Sequence, residues 1–306
     1  MFPTTHHCKF GDGVKGFEKR MIDTGDIRLS THIAGEGPPL VMLHGYPQNH
    51  MTWAPVAEAF AQHFTCIIPD LRGYGDSDAP PDDADHTVYS KRQMARDIVG
   101  LLDALGHSSA HILGHDRGAR VAYRMALDHP DRVNKLGIIE IVPTGDFWAS
   151  WNADLALKAY HWTFLAQQAP LPERMIGADP EAYTDWTLAA WNLGKSLDVF
   201  GDEALASYRR QARDPARIHA MCADYRAGAT FDRKLDEADR AAGCQIEAPT
   251  KYLYAASGFP AQTGDPEALW RVWAPDLTSQ SCTSGHFVME ENPQAVRDCF
   301  IPFFQN

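Results

Sequence analysis

No stretch of this 306-residue chain approaches the ~18 apolar residues that a membrane-spanning helix requires. The opening ten residues, Met1 to Phe10, are polar and lack the apolar centre of a secretory leader. None of the six cysteines (Cys8, Cys66, Cys222, Cys244, Cys282 and Cys299) belongs to a C-x-x-C pair or stands near a histidine at zinc-finger spacing. These absences argue against a membrane span, a disulfide scaffold and a structural zinc site. They predict reduced, mostly buried thiols and a cytoplasmic location. Positive charge is scarce as well. The 28 Lys and Arg face 40 Asp and Glu, and the net charge of −12 argues against a nucleic-acid partner. It leaves room for a small anion, because a local pair of arginines can dominate the field inside a cleft. Internal repeats and low-complexity segments are missing too.

What the chain does have is an apolar-strand, amphipathic-helix rhythm. Phe17 to Asp23 and Arg28 to Ala34 predict a hairpin around Thr24-Gly25-Asp26. Short apolar runs follow at Leu40 to Leu43, Cys66 to Pro69, Ala110 to Leu113 and Leu136 to Val142. Helical stretches such as Trp53 to His63 and Ser90 to Leu105 separate them. This alternation predicts a parallel sheet covered on both faces. From about Phe147 to Gly243 the chain is rich in Trp, Tyr, Ala and Arg and has no clear β-run, which predicts a helical insertion over the carboxyl edge of the sheet. Strands resume at Thr250 to Tyr254 and near Leu277 to Cys282, and a closing helix spans Pro293 to Phe304. The expected division is a core of residues 1–145 and 246–306 with a helical cap at 146–245.

In open α/β sheets, sites form at the carboxyl ends of the strands. His44, Asp70, Asp116, Glu140 and His286 all fall at such ends. Asp116 is the most informative. It sits in Gly114-His115-Asp116-Arg117-Gly118, between an apolar strand and the helix expected over Ala119 to Leu127. A strand, a sharp Gly-flanked turn and a helix form the nucleophile elbow, whose usual tip is serine. A serine that attacked a saturated carbon would leave an ether that water cannot easily remove. An aspartate leaves an ester, which water hydrolyses. The residue type therefore points to displacement at an sp3 carbon followed by hydrolysis.

A nucleophile, a later acid and a final histidine, in that chain order, match the α/β-hydrolase triad. His286, in Ser284-Gly285-His286-Phe287, is placed to activate water in the second step. Glu140, at the end of an apolar strand, is the candidate for orienting it, with Asp265 as rival. The backbone N–H groups of Tyr46 and Arg117 are candidates for an oxyanion hole. His44 reads as structural, and so does the turn Asp70-Leu71-Arg72-Gly73-Tyr74-Gly75. Arg117 and Arg120 lie three apart on the first helical turn after the tip, so both can face one side and grip a substrate carboxylate. The same charges would keep Asp116 ionised. Asp82-Asp83-Ala84-Asp85-His86 has the composition of a metal cluster but reads as a solvated loop after Pro80-Pro81. No metal or organic cofactor is expected.

The run Gly114-His115-Asp116-Arg117-Gly118-Ala119-Arg120 resembles the elbow of the fluoroacetate (haloacetate) dehalogenases. So do Tyr160-His161-Trp162 with Phe164-Leu165-Ala166-Gln167, Asp224-Tyr225-Arg226-Ala227-Gly228, and Ser284-Gly285-His286-Phe287. The similarity runs from about residue 15 to the end of the chain, the cap included. It implies an α/β-hydrolase fold, a mostly parallel eight-stranded sheet under a helical cap, and a homodimer. It also implies that His161, Trp162 and Tyr225 donate hydrogen bonds to a leaving halide and that Trp191 lines the pocket.

Three positions depart from the pattern. Glu140 stands where the family usually has aspartate, Tyr46 where it often has phenylalanine, and Phe259 where it tends to have a smaller residue. An aspartate at the elbow is shared with epoxide hydrolases and haloalkane dehalogenases, which remain alternatives. A non-catalytic ligand receptor on the same scaffold is a third reading, disfavoured because no triad member is lost.

Overall fold

The computed structural model describes residues 13–306, so Cys8 and the polar N-terminal stretch lie outside the described residues. Eight strands form one sheet: β1 (Glu18–Asp23), β2 (Arg28–Ala34), β3 (Pro39–Leu43), β4 (Thr65–Pro69), β5 (Ala110–His115), β6 (Val133–Ile139), β7 (Thr250–Ala255) and β8 (Leu277–Cys282). Their order across the sheet is β1-β2-β4-β3-β5-β6-β7-β8. The N-terminal hairpin is antiparallel, with Asp23 opposite Arg28, and β2 meets β4 antiparallel. All remaining pairs are parallel.

The strand side chains alternate between two cores, as a period of two requires. Leu40 and Met42 of β3 join Leu113, Ile139 and Leu253 on one face, which is covered by α1 (Ala54–Ala61) and a closing helix at Pro293–Gln305. Val41 and Leu43 join Ile112, Leu136, Ile138 and Tyr252 on the other. That face is covered by α2 (Lys91–Ala104) and α3 (Asp116–Asp128). The continuous apolar runs of the sequence are therefore strands buried on both sides. Helix boundaries move by a few residues from the sequence reading because caps decide them. Ser90 lies outside α2, its hydroxyl accepting from the Gln93 amide at 3.2 Å.

Between β6 and β7 the chain forms eight helices: α4 (Thr144–Ala149), α5 (Ala153–Lys158), α6 (His161–Leu165), α7 (Leu171–Ala178), α8 (Pro180–Trp191), α9 (Asp202–Ala212), α10 (Pro215–Ala229) and α11 (Phe231–Ala242). Buried ion pairs pin this layer to α3. Arg124 bonds Asp236 at 2.9 Å and Asp239 at 2.6 Å, and the Tyr123 hydroxyl donates to Asp236 at 2.7 Å. Three more helices complete the chain: α12 (Pro266–Trp273), the short α13 (Val288–Glu291) and α14, the closing helix. Of the described cysteines, all free, Cys66, Cys222 and Cys299 are buried, Cys282 is half-buried and Cys244 is exposed. No helix among the described residues is long and apolar enough to cross a membrane.

The junction of β5 and α3 is tightly packed. α3 begins at Asp116 itself, three residues earlier than the sequence suggests, and Asp116 has φ +46°. That left-handed backbone is costly for a non-glycine residue and holds only where the surroundings fix it. Gly118 shows how close those surroundings are. A Cβ there would lie 2.3 Å from the His44 carbonyl oxygen and 2.4 Å from that of Leu43. Both obstacles are backbone and cannot swing aside. Replacing Gly118 with alanine is expected to destabilise the fold by about 1–3 kcal/mol or more. Chemical denaturation measures this, and an unchanged midpoint would refute the packing account.

Candidate active site

Asp116, Arg120, Glu140, His161, Trp162, Phe259 and His286 line one cavity at the carboxyl edge of the sheet. Asp116 and Arg120 come from α3, Glu140, Phe259 and His286 from the turns after β6, β7 and β8, and α6 supplies His161 and Trp162. Only about 10 Å3 of it is open to the centre of a water molecule, room for about one water. A larger vestibule of about 390 Å3 by the same measure adjoins it, lined by Trp191, Phe259 and His286 together with Lys158 and Lys195.

The Asp116 carboxylate is buried and points into the cavity. Its Oδ1 accepts a 2.8 Å hydrogen bond from the backbone N–H of Tyr46, in the turn after β3. The Arg117 amide lies on the first turn of α3, where amides have no partner within the helix. Burial opposes ionisation of Asp116. The rings of His286 and His115 and the guanidinium groups of Arg117 and Arg120 outweigh it and hold the pKa at about 2. Asp116 is thus an ionised carboxylate in a nearly closed, polar-lined space.

The two arginines differ. Arg117 is fully buried, and its side chain is spent largely on Asp224 of α10. Its Nε lies 3.1 Å from Asp224 Oδ2, and its Nη2 donates to the Asp224 carbonyl at 2.8 Å and pairs with Oδ1. The buried Lys91 ammonium reaches the same carboxylate from α2, and the Tyr74 hydroxyl donates to it at 2.9 Å. The carboxylate that balances Arg117 is Asp224, which Lys91 shares, and neither was singled out for this role in the sequence. The available signal was an aspartate inside an otherwise apolar helical stretch, next to Tyr225. One Arg117 nitrogen, Nη1, stays buried without a partner. Among the described residues no carboxylate lies within ion-pair distance of Arg120: its Nη1 donates to the Val142 carbonyl and to Thr144 Oγ1, both at 3.0 Å. Its guanidinium lies 4.6 Å from the centre of the Trp162 ring, and its Nε is buried without a partner. A buried cation without a counterion, on the wall of a cavity, is a place for an anion.

His286 follows β8. Its Nε2 is 3.7 Å from Asp116 Oδ2, beyond hydrogen-bond length, and neither ring nitrogen has a protein partner. Burial, then the adjacent His115 ring, push its pKa down to about 3, so the imidazole is neutral near pH 7. Its backbone is fixed from both sides. The His286 N–H donates to the Trp191 carbonyl at 2.9 Å, and His115 Nε2 lies 2.8 Å from the His286 carbonyl oxygen.

Glu140 shares the cavity wall with His286 but makes no hydrogen bond to it. The β6 strand ends at Ile139, and Glu140 turns with φ +59°. Its oxygens accept instead from the backbone N–H groups of Ala255, at 2.6 Å, and Phe259, at 3.1 Å. The loop wraps it so closely that a Cβ on Gly258 would fall 1.7 Å from Oε1. Burial raises its pKa to about 8 against those two bonds. The rival Asp265 is exposed and serves as the N-cap of α12, accepting from Glu267 and Ala268.

The remaining residues fall as follows. His161 Nδ1 and the Tyr225 hydroxyl are buried with no partner. Tyr225 packs its ring 4.3 Å from the Arg117 guanidinium and 5.2 Å from the Tyr46 ring. The Trp191 ring lies tilted 4.1 Å from His161, on the vestibule side. His44 is internal, accepting at Nε2 from the Leu71 N–H at 3.0 Å. Asp70 bonds His50 Nδ1 at 2.8 Å, and Asp82 bonds His86 at the same distance. No group of three or more His, Cys, Asp or Glu among the described residues is placed to hold a metal ion.

The Glu140 shift carries a sign that stability measurements read. The folded pKa of about 8 exceeds the ordinary 4.5, so between those values the folded state holds the extra proton. Stability contributed by the neutral carboxyl is complete below pH 4.5 and is lost as pH rises through 8. Glu140→Gln is expected to remove that part of the decline. Glu290, shifted to about 8 as well, leaves a residual slope. Identical pH–stability curves for variant and parent would exclude the shift.

Residues 38–293 match the α/β hydrolase fold family. The chain is 40 % identical over 279 residues to a fluoroacetate dehalogenase from Burkholderia sp., covering 91 % of each. It is 34 % identical over 282 residues to a soluble epoxide hydrolase from Corynebacterium sp. (strain C12), covering 90 % of this chain and 93 % of that one. Among solved structures, a protein from Nostoc sp. PCC 7120 described as an α/β hydrolase superposes with TM-score 0.92 at 43 % identity, covering 96 % of this chain and 99 % of the other. The chain belongs to the α/β-hydrolase fold family and, within it, is a hydrolase related to fluoroacetate dehalogenase.

Proposed function

We propose that this protein hydrolyses a small haloacetate to glycolate and halide through a covalent ester on Asp116. The observation that carries the reading is the pairing, on one cavity wall, of an ionised Asp116 with a buried Arg120 that has no counterion. Kinship with a protein named fluoroacetate dehalogenase supports it.

The substrate carboxylate sits against Arg120 and Arg117, whose Nε and Nη1 respectively are buried without a partner. An Asp116 oxygen attacks the carbon opposite the halogen. The C–O bond forms as the carbon–halogen bond breaks, and the halide leaves with the bonding pair. No base is needed, because the carboxylate is already ionised. Departing fluoride must exchange its hydration for close donors. On this reading His161, Trp162 and Tyr225 provide them: His161 and Trp162 line the cavity, and His161 Nδ1 and the Tyr225 hydroxyl are buried without a partner. His286 then takes a proton from water, whose oxygen attacks the Asp116 carbonyl carbon. The Tyr46 and Arg117 amides stabilise the oxyanion. Collapse releases glycolate and restores the carboxylate. Glu140 supports His286 by holding the adjacent loop, and when ionised it stabilises the imidazolium across the cavity. A cap at 146–245, a homodimer and a cytoplasmic location belong to the same reading.

Epoxide opening is the second reading. Kinship with an epoxide hydrolase and the unpartnered Tyr225 hydroxyl, able to protonate an epoxide oxygen, favour it.

Side-by-side release of halide from fluoroacetate, chloroacetate and bromoacetate tests the activity. Arg120→Ala is expected to raise KM for haloacetate by about tenfold to a hundredfold, the worth of a charged hydrogen bond. An unchanged KM would favour the neutral epoxide. In 18O water, the first turnover should give unlabelled glycolate while Asp116 gains the label, read by mass spectrometry of its peptide. Label appearing in the first product, with none on Asp116, would eliminate the ester.

A further inference from the structure

Two side chains line both the reaction cavity and the vestibule: Phe259 and His286. On the proposed reading His286 is committed to water activation, which leaves Phe259 as the partition that can vary without removing a reacting group. We propose that the Phe259 ring sets the size of acid that reaches Asp116, admitting unbranched two-carbon acids and rejecting those with a 2-substituent.

Three aromatic rings and one cation surround the ring. It stands edge-on to His286 at 5.2 Å, to Trp191 at 5.5 Å and to His161 at 5.8 Å, with the Lys158 ammonium 5.5 Å away on the vestibule side. Its backbone is pinned as well. The Phe259 N–H donates to Glu140 Oε1 at 3.1 Å, and Lys158 Nζ holds the preceding carbonyls of Ser257 and Gly258 at 3.0 and 3.4 Å. A side chain so fixed cannot retreat far into its own loop. The contrast in room is steep, about 390 Å3 outside the ring and about 10 Å3 inside it. Bulk at the 2-position must therefore displace a ring clamped by three aromatic neighbours.

The experiment compares kcat/KM for halide release from chloroacetate and 2-chloropropionate. The ratio cancels any loss that the variant imposes on both substrates alike. Phe259→Ala is expected to raise the 2-chloropropionate to chloroacetate ratio by about tenfold or more, the discrimination that one methyl group can provide in a tight pocket. Phe259→Leu reads the same ratio with a smaller rise, and it decides the matter if the alanine variant does not fold. An unchanged ratio in a folded, active variant overturns the inference and moves the size limit to the inner wall. Absence of halide release from chloroacetate by the unsubstituted enzyme sinks the dehalogenase reading on which the inference rests, and the inference with it.

Discussion

An ionised carboxylate kept out of bulk water depends on compensating charge, and the first turn of α3 is organised around that constraint. Asp116 is buried, and burial alone would favour its neutral form. The rings of His286 and His115, then Arg117 and Arg120, reverse the balance, yet a pair of buried guanidinium groups is itself expensive. The protein meets this by treating them unequally. Arg117 is locked by Asp224, which Lys91 and Tyr74 also hold. Arg120 is left to carbonyl and hydroxyl acceptors and to the faces of aromatic rings. The first arrangement fixes geometry, and the second leaves charge available to an incoming anion.

The same network joins the two layers of the molecule. Asp224 and Tyr225 belong to α10, whereas Lys91 and Arg117 belong to α2 and α3 under the sheet. Arg124 repeats the device with Asp236 and Asp239 of α11. The helices over the sheet are thus tied to the helix that carries Asp116. A small cavity lies between them. Within it each electrostatic contact acts at low dielectric, where oriented N–H and O–H groups are worth most.

Left-handed non-glycine backbone occurs at both strand ends that carry carboxylates, as it also does at His86 and Lys195. Asp116 and Glu140 both have left-handed backbone. In each case the neighbours enforce it: the Tyr46 amide and the β3 turn at Asp116, and the Ala255 and Phe259 amides at Glu140. Glu140 differs from a simple histidine orienter. Its oxygens are occupied by the loop after β7, so it acts first on the position of Phe259 and His286 reaches it only across the cavity wall.

Much of this was written in the linear order of residues. Apolar runs with period-two burial identified the strands of the sheet, because a strand covered on both faces tolerates little else. The Gly-flanked aspartate marked the elbow, since the turn excludes larger neighbours whatever the rest of the chain does. Residue type at that tip carried the chemical reading, because an ester and an ether differ in how water treats them. What spacing along the chain could not supply was pairing across the molecule. Asp224 lies 107 residues from Arg117, and Ala255 lies 115 residues from Glu140. Which carboxylate meets which cation, and which ring closes the cavity, depend on how the helical layer seats on the sheet. Those contacts are long-range and desolvated, so only the tertiary structure decided them.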